Sequence, residues 1–271
     1  MSRQTLIEQI KADCDYLKLA RAAEVFAELA DEARRANEDP IEFLAKVMSA
    51  EVDATRQRRL SARLRFAHFP MRKTLEEFDF DFQPSIDRKV VFDLAELDFV
   101  ADGRPVLLLG RPGCGKSHLG IALGIKAVEA GYRGYFAGAT EMTKSLVAAW
   151  TDGSFSSRLR TYTGPSVLVI DDVGITPFDR AESNAFFQVV NRRYENGSST
   201  IVTTNRGLPS WADLFGGDSV VAAAILDRLL DRATVINIKG PSWRLREHGA
   251  LTRPLTEAAA SPPEQPRGRR G

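Results

Sequence analysis

Gly110-Arg111-Pro112-Gly113-Cys114-Gly115-Lys116-Ser117 is a complete G-x-x-x-x-G-K-[ST] pattern. The apolar run 106–109 before it predicts a buried strand, and residues 118–129 after it carry a helical pattern. Strand, glycine-rich loop and helix in that order make a cradle for phosphate. Glycines let backbone N–H groups converge on phosphate oxygens with no Cβ in the way. The helix N-terminus adds a favourable partial positive charge. Lys116 is expected to reach the β- and γ-phosphates of ATP, and Ser117 to ligate Mg2+. Gly110, Arg111, Pro112, Gly113, Cys114, Gly115 and the next residue, His118, complete the predicted nucleotide contacts. Cys114 fills a variable position and reads as a small filler, not a nucleophile.

Downstream, Val167-Leu168-Val169-Ile170-Asp171-Asp172 is an apolar strand ending in paired carboxylates. Asp171 is the expected magnesium residue and Asp172 the residue that polarises the attacking water. Ile201-Val202-Thr203-Thr204-Asn205 is a second apolar strand with a polar end. Asn205 is expected to orient that water and sense the γ-phosphate, although a turn-forming Asn before Arg206-Gly207 is the bland alternative. In Ile225-Leu226-Asp227-Arg228-Leu229-Leu230-Asp231-Arg232, Arg228 is the candidate arginine finger for a neighbouring subunit's ATP, with Arg232 as the alternative. The competing reading of that helix is a solvated, charged face. Arg244, in Ser242-Trp243-Arg244, is a further phosphate-sensing candidate.

Around these motifs, residues 106–109, 135–137, 167–170, 200–204 and 234–238 are the expected strands, several separated by helical stretches. That alternation predicts an α/β fold with a parallel-sheet sandwich. Phe78, Phe80 and Phe82 alternate with Asp79 and Asp81, which suggests a short extended segment. Residues 1–75 read as an N-terminal helical domain and 76–250 as the ATPase domain. Residues 251–271, rich in Pro, Ala, Arg and Gly, read as a disordered tail. Near the start, Leu6, Ile10, Cys14 and Leu17 mark one helix face. Asp39-Pro40 looks like an N-cap, followed by an apolar face of Ile41, Leu44 and Met48.

The 271 residues suit one large domain or a core with an appendage. Hydrophobic residues at 44% supply a sizeable core. The 37 basic and 36 acidic residues nearly cancel, so net charge identifies no nucleic-acid partner. Local clustering does better. Arg56, Arg59 and Arg63 share a helix face in a stretch free of acid from residue 54 to 75, and they suit the DNA backbone. Arg158 and Arg160 form a second DNA candidate. A solvated face pairing with Glu51 or Asp53 is the alternative for the first cluster. Two cysteines, Cys14 and Cys114, build neither a disulfide framework nor a four-ligand zinc site. With no apolar leader and no membrane-length run, the expectation is a soluble, cytoplasmic protein.

Taken together, residues 110–117, 168–174, 186–194, 203–205, 226–229 and 242–244 resemble the IstB-like transposition helper ATPases. These are relatives of the DnaC helicase loaders within the AAA+ initiator group. The resemblance covers about residues 5–250. It implies a P-loop AAA+ ATPase with little or no C-terminal lid, which forms a homo-oligomer on double-stranded DNA without sequence preference. It implies a partner transposase, assisted in choosing its target, with hydrolysis resetting the assembly. Lys116, Ser117, Asp171, Asn205 and Arg228 take the roles already given. Many relatives carry Glu where this chain has Asp172, so the water must sit closer here. A helicase loader, or a nucleotide-gated adaptor with negligible hydrolysis, are the alternative readings.

Overall fold

A computed structural model describes residues 2–244 and Arg246. The expected tail and the end of the expected ATPase domain lie outside the described residues. The chain forms two compact units, Met1–Phe66 and Ala67–Gly271. Residues 67–75, expected in the first domain, pack within the second unit. There the Phe136 amide donates to the Ala67 carbonyl at 2.8 Å, and the Phe69 ring lies 6.2 Å from that of Phe136.

The first unit has three helices, α1 (Arg3–Tyr16), α2 (Ala20–Ala36) and α3 (Pro40–Phe66). The Asp39 carboxylate accepts from the Ile41 amide at 2.7 Å, so the expected N-cap starts α3, with Pro40 as its first residue. Its core is small, with Ala22, Phe26 and Val47 buried and Ile7, Cys14 and Phe43 packed around them. Glu51 is buried too. Its carboxylate accepts from the Ala22 amide, the Thr55 hydroxyl and the Arg58 guanidinium at 2.9, 3.0 and 2.6 Å. The Ala22 amide is the main influence holding its carboxyl below the ordinary range. Of the apolar faces expected on α1 and α3, only Cys14 packs against this core. Leu6, Ile10 and Leu17, and likewise Ile41, Leu44 and Met48, remain exposed.

The second unit opens with residues 67–87, which are built of turns. The alternation of Phe78, Phe80 and Phe82 therefore marks no strand. Phe78 and Phe80 are buried from a turn-rich backbone that caps itself, with Phe82 donating its amide to the Asp79 carboxylate at 2.9 Å. Then follow α4 (Arg88–Ala95), α5 (Asp98–Ala101), β1 (Val106–Gly110), α6 (Lys116–Glu129), β2 (Gly134–Gly138), α7 (Ala139–Thr151), α8 (Phe155–Thr163) and β3 (Val167–Val173). The remainder is α9 (Arg180–Glu195), β4 (Ser199–Thr204), α10 (Trp211–Leu214), α11 (Ser219–Leu230) and β5 (Thr234–Ile238). Every expected strand is present. All pairings are parallel, in the order β2-β3-β4-β1-β5.

The strands are buried on both faces, as a parallel sheet between helical layers requires. Leu107, Leu109, Leu168, Ile170 and Val202 face a layer holding Met142, Leu146, Phe186, Val189 and Ile225. Val106, Leu108, Val167, Val169, Ile201 and Ile236 face the other, with Val91, Phe99, Leu119 and Leu123. The period of two in each apolar run thus feeds both layers. Beneath the first layer, Arg193 is fully buried. Its guanidinium donates to the Thr200 hydroxyl and to the carbonyls of Tyr162, Pro165, Ser166 and Ser199. Burial lowers its pKa to about 9, and the ring of acceptors keeps it charged at neutral pH. It ties the end of α8 to the starts of β3 and β4.

Candidate nucleotide site

Because the strands are parallel, their carboxyl ends form one rim. β1 sits between β4 and β5, so the loop leaving it opens where the chain order reverses, the usual place for a ligand. A cavity of about 460 Å³ lies there. Pro112, Gly113, Cys114, Gly115, Lys116, Ser117, His118, Asp171, Asp172, Asn205 and Arg244 all line it. Gly110 and Arg111 instead line an adjoining cavity. Arg228 lines neither. Arg56, Arg59 and Arg63 belong to α3 in the other unit, and Arg158 and Arg160 to α8.

The loop is built to take a tetrahedral anion. Gly113 and Gly115 have φ of +79° and +98°. A Cβ on Gly113 would come within 2.1 Å of Ser242 Oγ, and one on Gly115 within 2.6 Å of the Phe78 ring. α6 begins at Lys116, so its unpaired amides point into the cavity. Lys116 is only 5% exposed. Its Nζ donates to the Arg111 carbonyl at 2.9 Å and lies 3.9 Å from Cys114 Sγ. The groups that accept from this buried ammonium are neutral, so it has charge to offer an anion in the cavity. Phosphates suit that charge, and Ser117 with Asp171 offers the oxygen ligands that magnesium prefers.

The two carboxylates come from a β-bulge. Ile170 pairs with Val202 and Val173 with Thr204, so Asp171 and Asp172 together oppose the single residue Thr203. The buried Thr203 hydroxyl locks the bulge. It donates to Asp171 Oδ1 at 2.5 Å and accepts from the Asp172 amide at 2.9 Å. Asp172 takes a left-handed φ of +59°, strained for a residue with a side chain. Partial enclosure, and then Asp171 beside it, push its carboxyl above the ordinary range, while Lys116 and Arg244 pull it back. Thr203 is the positioning residue that motif reading misses, since its role depends on strand register.

The outer wall was not foreseen either. Phe78, Phe82 and Gln83 from the turn-rich segment meet Trp243 from beyond β5. The Trp243 amide donates to the Gly113 carbonyl at 2.9 Å, and its ring lies 5.0 Å from that of Phe82. Gln83 donates to the Pro241 carbonyl at 2.7 Å. His118 turns away from the loop toward this wall. Its Nε2 lies 2.8 Å from the Thr74 carbonyl, its ring stands edge-on to Phe78, and burial lowers its pKa.

Arg228 is held on α11. Its Nε donates to Asn191 Oδ1 at 2.6 Å and its Nη1 to the Ala224 carbonyl at 2.8 Å, with the guanidinium 5.2 Å from the Phe187 ring. Phe187 and Asn191, one turn apart on α9, fix its position. Arg232 pairs loosely with Asp231 at 3.8 Å. On α3, Arg56 lies 3.6 Å from Asp53, while Arg59 and Arg63 are exposed without a carboxylate partner among the described residues.

Comparison with known proteins agrees with this geometry. The family model described as IstB-like ATP binding protein matches residues 12–250. A Pseudomonas aeruginosa protein named for ATP binding in insertion sequence IS21 is 46% identical over 218 residues, 79% of this chain and 82% of the relative. A similarly named protein of insertion sequence IS5376 from Geobacillus stearothermophilus is 37% identical over 240 residues, 89% of this chain and 95% of the relative. Among solved structures, AMPPCP-bound DnaA from Aquifex aeolicus superposes with a TM-score of 0.53 at 22% identity, over 70% of this chain and 56% of that one. DnaI gives 0.53 at 23%, over 62% and 91%. The fold is that of an AAA+ P-loop NTPase, and the chain belongs to the IstB-like ATP-binding protein family.

Proposed function

We propose that this protein is an ATPase that assembles on double-stranded DNA and assists the transposase of its insertion sequence in choosing a target. The observation that carries the reading is a nucleotide cavity that gathers the expected phosphate and water residues but leaves Arg228 outside its lining. Lys116, Ser117, Asp171, Asp172 and Asn205 share one cavity, whereas Arg228 lines no part of it. A second copy supplying Arg228 would complete the site, and ATP would then favour assembly.

In this reading Lys116 and the α6 amides bind the phosphates, and Ser117 and Asp171 hold magnesium. Bound magnesium supplies charge neutralisation on the phosphate oxygens. Asp172, aimed by the bulge and the Thr203 hydroxyl, accepts the proton of the attacking water. Asn205 orients that water. Arg228 of a neighbouring copy stabilises charge on the transferring phosphoryl group, and Arg244 senses the same phosphates. Arg56, Arg59, Arg63, Arg158 and Arg160 meet the DNA backbone without reading bases. Hydrolysis releases the assembly.

The test is phosphate release by the full chain with ATP and magnesium, with and without duplex DNA. Turnover that duplex DNA stimulates is expected. Absence of turnover in both conditions would overturn the ATPase reading and leave a nucleotide-gated adaptor.

A further inference from the structure

Beside the nucleotide cavity lies a second one of about 440 Å³. It stands at the carboxyl ends of β4, β1 and β5, three neighbouring strands. Asn205 is on both walls, but Lys116, Ser117, Asp171 and Asp172 line only the first cavity. The second therefore borders the phosphate loop through Gly110 and Arg111 without sharing Lys116, Ser117, Asp171 or Asp172.

Its chemistry is one-sided. Arg111 comes from the loop after β1, Arg206 from the end of β4 and Lys239 from the end of β5. No Asp or Glu is among its lining residues, and none of the three cations has an ion-pair partner among the described residues. Three like charges lining one cavity without a counter-charge repel one another, and a bound anion relieves that repulsion. Arg206 is held at the rim, its Nε donating to the Gly174 carbonyl at 3.1 Å and its stem against Gly174. Asn205 and Asn237 add neutral donors. Guanidinium forks, an ammonium and carboxamides are the donor set of a phosphate receptor.

We propose that this second cavity binds a phosphate group distinct from those of the nucleotide, through Arg111, Arg206 and Lys239. The group has two sources, a phosphodiester of duplex DNA or free orthophosphate; the first rests on the DNA-binding reading above. Asn205 on the shared wall, and Arg111 within the loop, couple the two cavities. Nucleotide and second anion then alter each other's affinity by the same factor.

The experiment compares the full chain with Lys239→Gln and with Arg206→Gln/Lys239→Gln. The Lys239 side chain is exposed and its backbone amide, not its Nζ, bonds Ser85, so the single substitution leaves the fold undisturbed. Magnesium and a non-hydrolysable ATP analogue fill the nucleotide cavity throughout. One arm titrates orthophosphate calorimetrically. The other follows a fluorescent duplex by anisotropy over a salt series. If DNA is the source, the slope of log K against log salt falls by about 0.9 for the single variant and about 1.8 for the double. If orthophosphate is the source, its binding weakens in the variants while the duplex slope stays. A loss in either variant, in either arm, supports the site when nucleotide affinity measured without duplex or orthophosphate is unchanged. Parity of both variants with the parent in both arms, or no binding by the parent in either, overturns it. Duplex binding by the parent with no change in the variants leaves the DNA-binding reading standing and removes this cavity from it.

Discussion

The two compact units solve folding in opposite ways. The second buries its sheet between two extensive apolar layers and keeps its chemistry on one rim. Among its described apolar residues the first buries only Ala22, Phe26, Ala33 and Val47, and leaves Ile41, Leu44, Met48 and Val52 exposed along one helix face. The difference is instructive. A unit whose apolar residues already face one another works through its pocket. A unit that leaves an apolar stripe and a row of cations facing solvent is suited to contact with a partner. Perturbing the second should therefore change nucleotide chemistry, and perturbing the first should change association while nucleotide chemistry persists.

The largest effect belongs to the second unit. Lys116→Ala removes the one buried ammonium in the nucleotide cavity and should abolish ATP binding, read with a fluorescent ATP analogue. Unchanged affinity would mean the cavity is not the site. Next, Arg228→Ala should leave that affinity intact and cut hydrolysis by about 10³-fold, the low end for an arginine finger. A variant that turns over normally would remove the inter-subunit role. A smaller effect belongs to the first unit. Replacing Arg56, Arg59 and Arg63 by Gln should lower the salt slope of duplex binding by about 2.7, with ATP affinity unchanged. A triple variant with the parental slope would return those cations to solvent. Smallest of all, Met48→Ser, at an exposed position, should shift thermal stability by about 0.5 kcal/mol or less. It should still weaken self-association or transposase binding in a pull-down. A large loss of stability would show that the stripe is core after all.

The same contrast governs what can be read in advance. Each strand is a short apolar run with turn residues beside it, and burial on both faces leaves it little else to be. The glycine loop is legible because only that spacing fits a phosphate. Phe78, Phe80 and Phe82 mislead because alternation reports which side chains are buried, not whether the backbone joins a ladder. Here Phe78 and Phe82 wall a cavity from turns, and Phe80 is buried beside them. On α3 the apolar stripe is real but faces outward, while Val47 and the satisfied carboxylate of Glu51 face the core. Periodicity gives a face, and only tertiary packing says which face is covered. Thr203 is invisible in the same way. Its hydroxyl matters because the bulge places two aspartates opposite it, a fact of register rather than of composition. Trp243 and Gln83 join the nucleotide cavity through contacts far apart in sequence.

In the proposed function a second copy on DNA completes the nucleotide cavity. Mass measurement of the full chain in solution, with ATP, magnesium and duplex DNA added singly and together, tests it most directly. Multimers are expected when ATP and duplex are both present, reverting toward the protomer in Lys116→Ala and Arg228→Ala. A protomer mass under every condition, or multimers that ignore both ATP and Arg228, would contradict it.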